Sequence, residues 1–289
     1  MAAPRVIEEA AAKPTMWEAF AHVAATRPDA PFLCIPAREG RDYAPGGLEL
    51  TYGEAHAAAD ALAEILREKG YGPGHRVALA LENRPEHVLT QLALYAVGAC
   101  QVPVNPDYTD DELSYLLEHS EADLALGLPS NVERLAASGA APALLQTDLA
   151  DAPPAPARSG ETGRGAAAAI IYTSGTTGRP KGCVIDHEYH FAVGRTYAET
   201  GGRLTLRIGE ERLFVPLPVF HVNAGINTLS AVILTGNCLI SPDRFHANTL
   251  WDDVTATRAT AMHYLGVIPP ILLKRPPGPR DRAHSLRFG

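Results

Sequence analysis

The chain has 289 residues, 46% hydrophobic and 20% charged, which is the composition of a folded globular protein with ample core rather than a disordered one. Its formal net charge of −8 excludes the broad basic surface that a nucleic-acid partner needs, but leaves room for a local phosphate site. Cys34, Cys100, Cys183 and Cys238 are widely spaced with no C-x-x-C pair, so they read as reduced thiols. No apolar run reaches the roughly 18–20 residues of a membrane span. The acidic N-terminus, with Glu8 and Glu9, has no apolar signal core, so a cytoplasmic location is expected.

From residue 15 to about 145, helical and short apolar segments alternate. Thr15 with Glu18, Thr51 with Glu54, and Thr109 with Glu112 match capping boxes that open helices; Gly70 and Gly98 stand where helices stop. Strands are predicted at Arg76–Leu81, Cys100–Val104, Ala122–Leu126 and Ala143–Gln146. Residues 151–165 carry proline and glycine at a density that excludes helix and central strand. Beyond them a buried strand is expected at Ala166–Tyr172, then a helix near His187–Thr200. A strand at Arg212–Val215, a helix after His221, a strand at Asn237–Ile240 and a helix near Ala247–Thr257 follow. Alternation of this kind predicts an α/β fold with two similar, doubly wound, mainly parallel sheets and flanking helices, the second layer incomplete at the C-terminus. The expected organisation is a first α/β subdomain over 1–150, a linker over 151–165, and a second subdomain over 166–289.

The chemistry concentrates between Tyr172 and Gly182, in the order Tyr-Thr-Ser-Gly-Thr-Thr-Gly-Arg-Pro-Lys-Gly. Glycines let backbone N–H groups turn inward, hydroxyls donate to phosphate oxygens, and the lysine brings positive charge. A Walker loop is excluded, because Pro180 stands five residues after Gly175 and Lys181 is followed by Gly182. A nucleophile elbow is excluded as well, since Ser174 lacks the preceding glycine. Thr173, Ser174, Gly175, Thr176, Thr177, Gly178 and Lys181 are therefore the candidate phosphate ligands.

That order resembles the phosphate-binding signature of the adenylate-forming superfamily, which includes acyl-CoA synthetases, peptide-synthetase adenylation domains and luciferases. Leu50–Glu54, Leu94–Ala99 with Val102–Pro106, and Pro216–His221 resemble further blocks of the same family. The resemblance implies that a carboxylate attacks the α-phosphate of ATP, releasing pyrophosphate, and that coenzyme A then displaces AMP. It also implies catalytic roles for Lys181 and for His221, which in CoA-ligase relatives lies beside the substrate carboxylate. Phe220, Asn223, Gly225, Tyr264 and Gly266 become candidate pocket residues, with Ile226, Leu265 and Val267 beside them. Amino-acid-activating relatives carry an aspartate where this chain has Phe220-His221, which disfavours an amino-acid substrate. The run Met262–Pro270 is similar to carnitine/crotonobetaine and short-acyl ligases.

By the same resemblance the chain matches the first two-thirds or so of an N-terminal domain. The glutamate that holds Mg2+, the adenine and ribose ligands, and a C-terminal domain with its lysine have no counterpart here, so no metal ligand is assigned. A fragment of an acyl-CoA synthetase, inactive alone, is the leading expectation. A non-catalytic nucleotide-binding module and a fragment of an amino-acid adenylation or luciferase-like enzyme are the alternatives. An unfinished strand with Leu286 and Phe288 predicts self-association through that edge.

Overall fold

The computed structural model describes residues 8–173 and 179–289. In chain order the strands are β1 (Pro31–Ile35), β2 (Leu48–Thr51), β3 (Arg76–Ala80), β4 (Cys100–Pro103), β5 (Leu124–Gly127) and β6 (Ala143–Leu145). They continue with β7 (Ala167–Thr173), β8 (Lys181–Asp186), β9 (Arg212–Phe214), β10 (Cys238–Ile240) and β11 (Ala261–Met262). The helices are α1 (Met16–Thr26), α2 (Tyr52–Glu68), α3 (Pro85–Val97), α4 (Asp110–Ser120) and α5 (Val132–Ala137). After them come α6 (His187–Glu199), α7 (Leu229–Thr235), α8 (Leu250–Ala256) and α9 (Ile268–Leu273).

Two sheets form. One runs β6-β5-β3-β4-β7-β8, and the other β11-β9-β10-β1-β2. All pairs are parallel except the outer pairs β7/β8 and β1/β2. Every position of β4, β5 and β10 is buried, as expected of short parallel strands covered on both faces.

The pairing corrects the expected division of the chain. β1 and β2 lie in the first 150 residues but pair into the sheet of β9–β11, while β7 and β8 come after residue 165 and complete the sheet of β3–β6. Each sheet therefore draws strands from both halves. The largest apolar cluster reflects this, joining Phe20, Phe32 and Tyr52 to Val232, Leu239 and Ile240. The rings of Phe20 and Phe32, and those of Phe32 and Tyr52, sit 4.9 Å apart, and the Tyr52 hydroxyl reaches the carbonyls of Val232 and Asn237 at 2.9 Å. Local propensity says nothing of such partners, because one short apolar run can pair with another anywhere in the chain.

Residues 152–162 form neither helix nor strand, as their prolines dictate, yet they are not a loose connection. The Ala155 N–H donates to the Lys69 carbonyl at 2.7 Å, and Arg158 donates to the Asp123 carboxylate at 3.0 and 3.1 Å. With His75 Nε2 2.8 Å from the Pro156 carbonyl, the segment is a strap laid over the end of α2 and the starts of β3 and β5. The expected capping boxes are complete at Thr51–Glu54 and Thr109–Glu112; at Thr15 only the hydroxyl half is present, accepting from the Glu18 N–H. Among the described residues no helix is long and apolar enough to cross a membrane.

Candidate nucleotide and substrate site

The phosphate-loop sequence connects β7 to β8. Its flanks are antiparallel strands in register, and Thr173 and Lys181 face each other as Cα partners across the mouth. Both side chains are exposed. Ser174, Gly175, Thr176, Thr177 and Gly178 lie outside the described residues. The sequence expectation of a strand ending near Tyr172 is met, and the six-residue, partly exposed β8 was not legible as a strand.

Helix α4 braces the mouth of this hairpin. The Tyr115 hydroxyl donates to the Pro180 carbonyl at 3.1 Å, and the Arg179 guanidinium lies 5.0 Å over the Tyr115 ring. One turn on, His119 Nδ1 is 2.7 Å from the Tyr172 hydroxyl. Burial, with Tyr115 nearby, pushes the Tyr172 phenol up to about 12, so it stays un-ionised at neutral pH. Neither Tyr115 nor His119 was singled out from the sequence; their spacing of four residues on an amphipathic helix is an ordinary pattern.

The second part of the site follows β9. Residues 215–219 leave the sheet at its C-terminal edge, and Val222–Thr228 forms a π-helical turn with His221 at its head. Such turns cost regular hydrogen bonding and recur at functional sites. The Gly225 N–H closes the turn onto the His221 carbonyl at 3.0 Å. The imidazole of His221 is open to solvent on one side, stands 4.8 Å from the Phe220 ring, and has its pKa lowered by the protein that displaces water around it. At neutral pH it is an uncharged ring that can accept or donate a hydrogen bond.

The turn rests on the strand that leads into the phosphate loop. Ile226 is buried with Ala169 and Ile171 of β7, and Val222 and Ile185 close over them. Thr173 is two residues past Ile171, and His221 directly precedes Val222. The two segments that carry the sequence candidates thus pack together through one apolar contact.

Asn223, Gly225, Tyr264 and Gly266 fare differently from one another. Gly225 is a requirement of packing, because a Cβ there would collide with the Val219 carbonyl oxygen. Asn223 is held by its backbone, its carbonyl accepting from Thr228 Oγ1 at 2.9 Å. Gly266 is exposed, with nothing within 4 Å of the position a Cβ would take. Tyr264 lines a cavity of about 440 Å3 with Trp251, Met262, Ile268, Leu272 and Phe288, away from the contacts that surround His221.

His263, passed over in the sequence, is the residue of that stretch that reaches the turn. Because Thr228 gives its only hydroxyl proton to Asn223, His263 Nδ1–H must be the donor in the 2.5 Å contact to Thr228 Oγ1. Its Nε2 then accepts from the Tyr197 hydroxyl at 3.3 Å. Burial lowers the His263 pKa, which keeps this neutral tautomer. Among the described residues no three or more His, Cys, Asp or Glu side chains gather where they could hold a metal ion.

Comparison with known proteins bears on this arrangement. The chain matches the family described as AMP-binding enzyme over residues 20–288. It is 34% identical over 253 residues to the medium/long-chain fatty-acid–CoA ligase FadD6 of Mycobacterium tuberculosis, covering 84% of this chain and 42% of the ligase. It is also 38% identical over 148 residues to tyrocidine synthase 3 of Brevibacillus parabrevis, covering 48% of this chain and 2% of the synthase. Among solved structures, the inhibitor-bound N-terminal domain of FACL13 from Mycobacterium tuberculosis has the same fold, with a TM-score of 0.80 at 24% identity over 95% of this chain and 68% of that one. The chain thus spans less than half the length of FadD6. The match from residue 20 to residue 288 takes in every strand of both sheets, and the chain belongs to the AMP-binding enzyme family.

Proposed function

We propose that this chain is the phosphate-gripping and carboxylate-binding part of an ATP-dependent acyl-CoA synthetase. The observation that carries the reading is the hairpin mouth, where Thr173 and Lys181 are register partners on either side of the hydroxyl- and glycine-rich loop. In the first step a carboxylate oxygen bonds to the α-phosphorus of ATP, the bond from that phosphorus to the β-phosphate oxygen breaks, and pyrophosphate leaves. Charge grows on the departing phosphates, and the Lys181 ammonium and Thr173 hydroxyl are of the right type to neutralise it. In the second step the sulfur of coenzyme A attacks the acyl carbon and AMP departs. Mg2+ would serve the phosphates; no residue is assigned to hold it and no step to it.

His221 is the proposed partner of the substrate carboxylate. Its lowered pKa supports a neutral imidazole that orients the attacking oxygen by a hydrogen bond without competing for it as a cation would. The pair Phe220-His221, in place of the aspartate of amino-acid-activating relatives, supports an acyl substrate over an amino acid, despite the likeness to a tyrocidine synthase. The likeness to FadD6 supports a medium or long fatty acid. The test is ATP–pyrophosphate exchange by the full-length protein across carboxylic acids, followed by detection of the CoA thioester. Fatty-acid-dependent exchange and thioester are expected. Exchange dependent on amino acids, or none with any carboxylate, would overturn the reading.

A further inference from the structure

Two buried side-chain amides, both from segments far earlier in the chain, grip the backbone on either side of His221. Asn83 follows β3 at the C-terminal edge of its sheet and is 4% exposed. Its Nδ2 donates to the carbonyls of Leu217 at 3.0 Å and Pro242 at 3.1 Å, while its Oδ1 accepts from the Val219 N–H at 2.7 Å. It thus takes the place of a neighbouring strand for a segment that has left the sheet. Gln91, on α3 and wholly buried, donates from Nε2 to the Gly225 carbonyl at 2.8 Å, the residue whose own N–H closes the turn onto His221.

The Gln91 contact has one direction only. A carbonyl accepts and cannot donate, so Nε2 must face Gly225, and its second proton goes to the Tyr95 hydroxyl at 2.8 Å. Gln101 Nε2 donates to the same hydroxyl at 3.0 Å. The Tyr95 hydroxyl is also 3.2 Å from His190 Nε2, and His190 Nδ1 is 2.8 Å from Ser230 Oγ, so the network runs from the turn to α7. The carbonyl of Gly225 fixes the orientation of the Gln91 amide, and the Oε1 atoms of Gln91 and Gln101 are buried without a hydrogen-bond partner among the described residues.

We infer that Asn83 and Gln91 are positioning residues for His221, holding its main chain from before and behind so that the imidazole meets the substrate carboxylate in one place. The inference rests on the role proposed for His221, and its test separates the two. Asn83→Leu and Gln91→Met keep the side-chain volume and remove the donors. Hydrogen exchange is read at two amides that neither side chain touches, the His221 N–H on Pro218 and the Gly225 N–H on His221, against the Ala78 and Val102 amides of the central sheet. Both variants are expected to speed the first pair at least about tenfold relative to the second. In full-length protein active in pyrophosphate exchange, they are expected to lower kcat by about ten- to a hundredfold, the scale of a misplaced catalytic group, with the KM for ATP held within about twofold. Reporter amides that move only in step with the central sheet would overturn the inference, as would a rise in the ATP KM that matches the fall in kcat. Absence of exchange activity in the unsubstituted protein would overturn the function proposed for His221, and the amides would still decide whether the grip exists.

Discussion

At the scale of residues, the phosphate-loop proposal rests on local chemistry. Hydroxyls, glycines and a lysine in one run suit a phosphate wherever the run is placed. His221 was proposed only through resemblance, and the side chains that hold its segment were not legible at all, since Asn83, Gln91 and His263 lie 138, 130 and 42 positions away in the sequence. Gly225 shows the same limit. It reads as a pocket wall in the sequence, but the structure makes it a point of close approach, where any added Cβ would run into the Val219 carbonyl. Backbone on both sides leaves nothing flexible to yield. Gly225→Ala is expected to cost on the order of 1–3 kcal/mol, as overpacking does. A urea midpoint equal to that of the unsubstituted protein would contradict this close packing.

At the scale of elements, helices with start signals were read well and short strands poorly. Thr51 and Thr109 open α2 and α4 with complete capping boxes, each hydroxyl accepting from the third residue and each glutamate returning to the Thr N–H. Thr109→Ala is expected to cost about 1 kcal/mol by removing that cap. Because α4 carries Tyr115 and His119, the loss should also loosen the hairpin mouth. The check is the denaturation midpoint alongside exchange of the β8 amides; unchanged values in both would contradict the bracing role of α4. β8 escaped the sequence reading because Lys181, Cys183 and Val184 are exposed and its pattern is that of a loop. β11 is two residues long, and β1 and β2 have no marker of their partners. Most of the strands that were read, such as those at 76–81 and 100–104, are buried on both faces, though β6, also read, is half-buried along its length.

At the scale of the whole molecule, alternation gave two mainly parallel sheets but not their interleaving, because pairing between β1 and β10 is a non-local choice. The same interleaving buries polar groups between the halves, and histidines among them set an acid limit. Burial pushes His87 and His187 down to about 4, and His190 down to about 3 with His187 adding to it. Among the described residues neither ring nitrogen of His87 has a hydrogen-bond partner. In the unfolded chain these rings take up protons below about 6.5, while in the fold they stay neutral. The unfolded state therefore binds more protons, and stability falls as pH drops from about 6.5 toward 4, by up to about 1.4 kcal/mol per pH unit for each ring. Denaturant unfolding at pH 7.5 and pH 5 should show this loss, and equal or greater stability at pH 5 would contradict it.

The grip proposed for the β7–β8 hairpin on nucleotide phosphate underlies every functional statement above. It is tested most directly by ATP titration calorimetry on full-length protein with Lys181→Ala. Loss of one charge-assisted hydrogen bond is worth about 1.5–3 kcal/mol, so the ATP Kd should rise by about ten- to a hundredfold. The unfolding midpoint should not move, because Lys181 is exposed at the hairpin mouth. An ATP affinity equal to that of the unsubstituted protein would contradict the account.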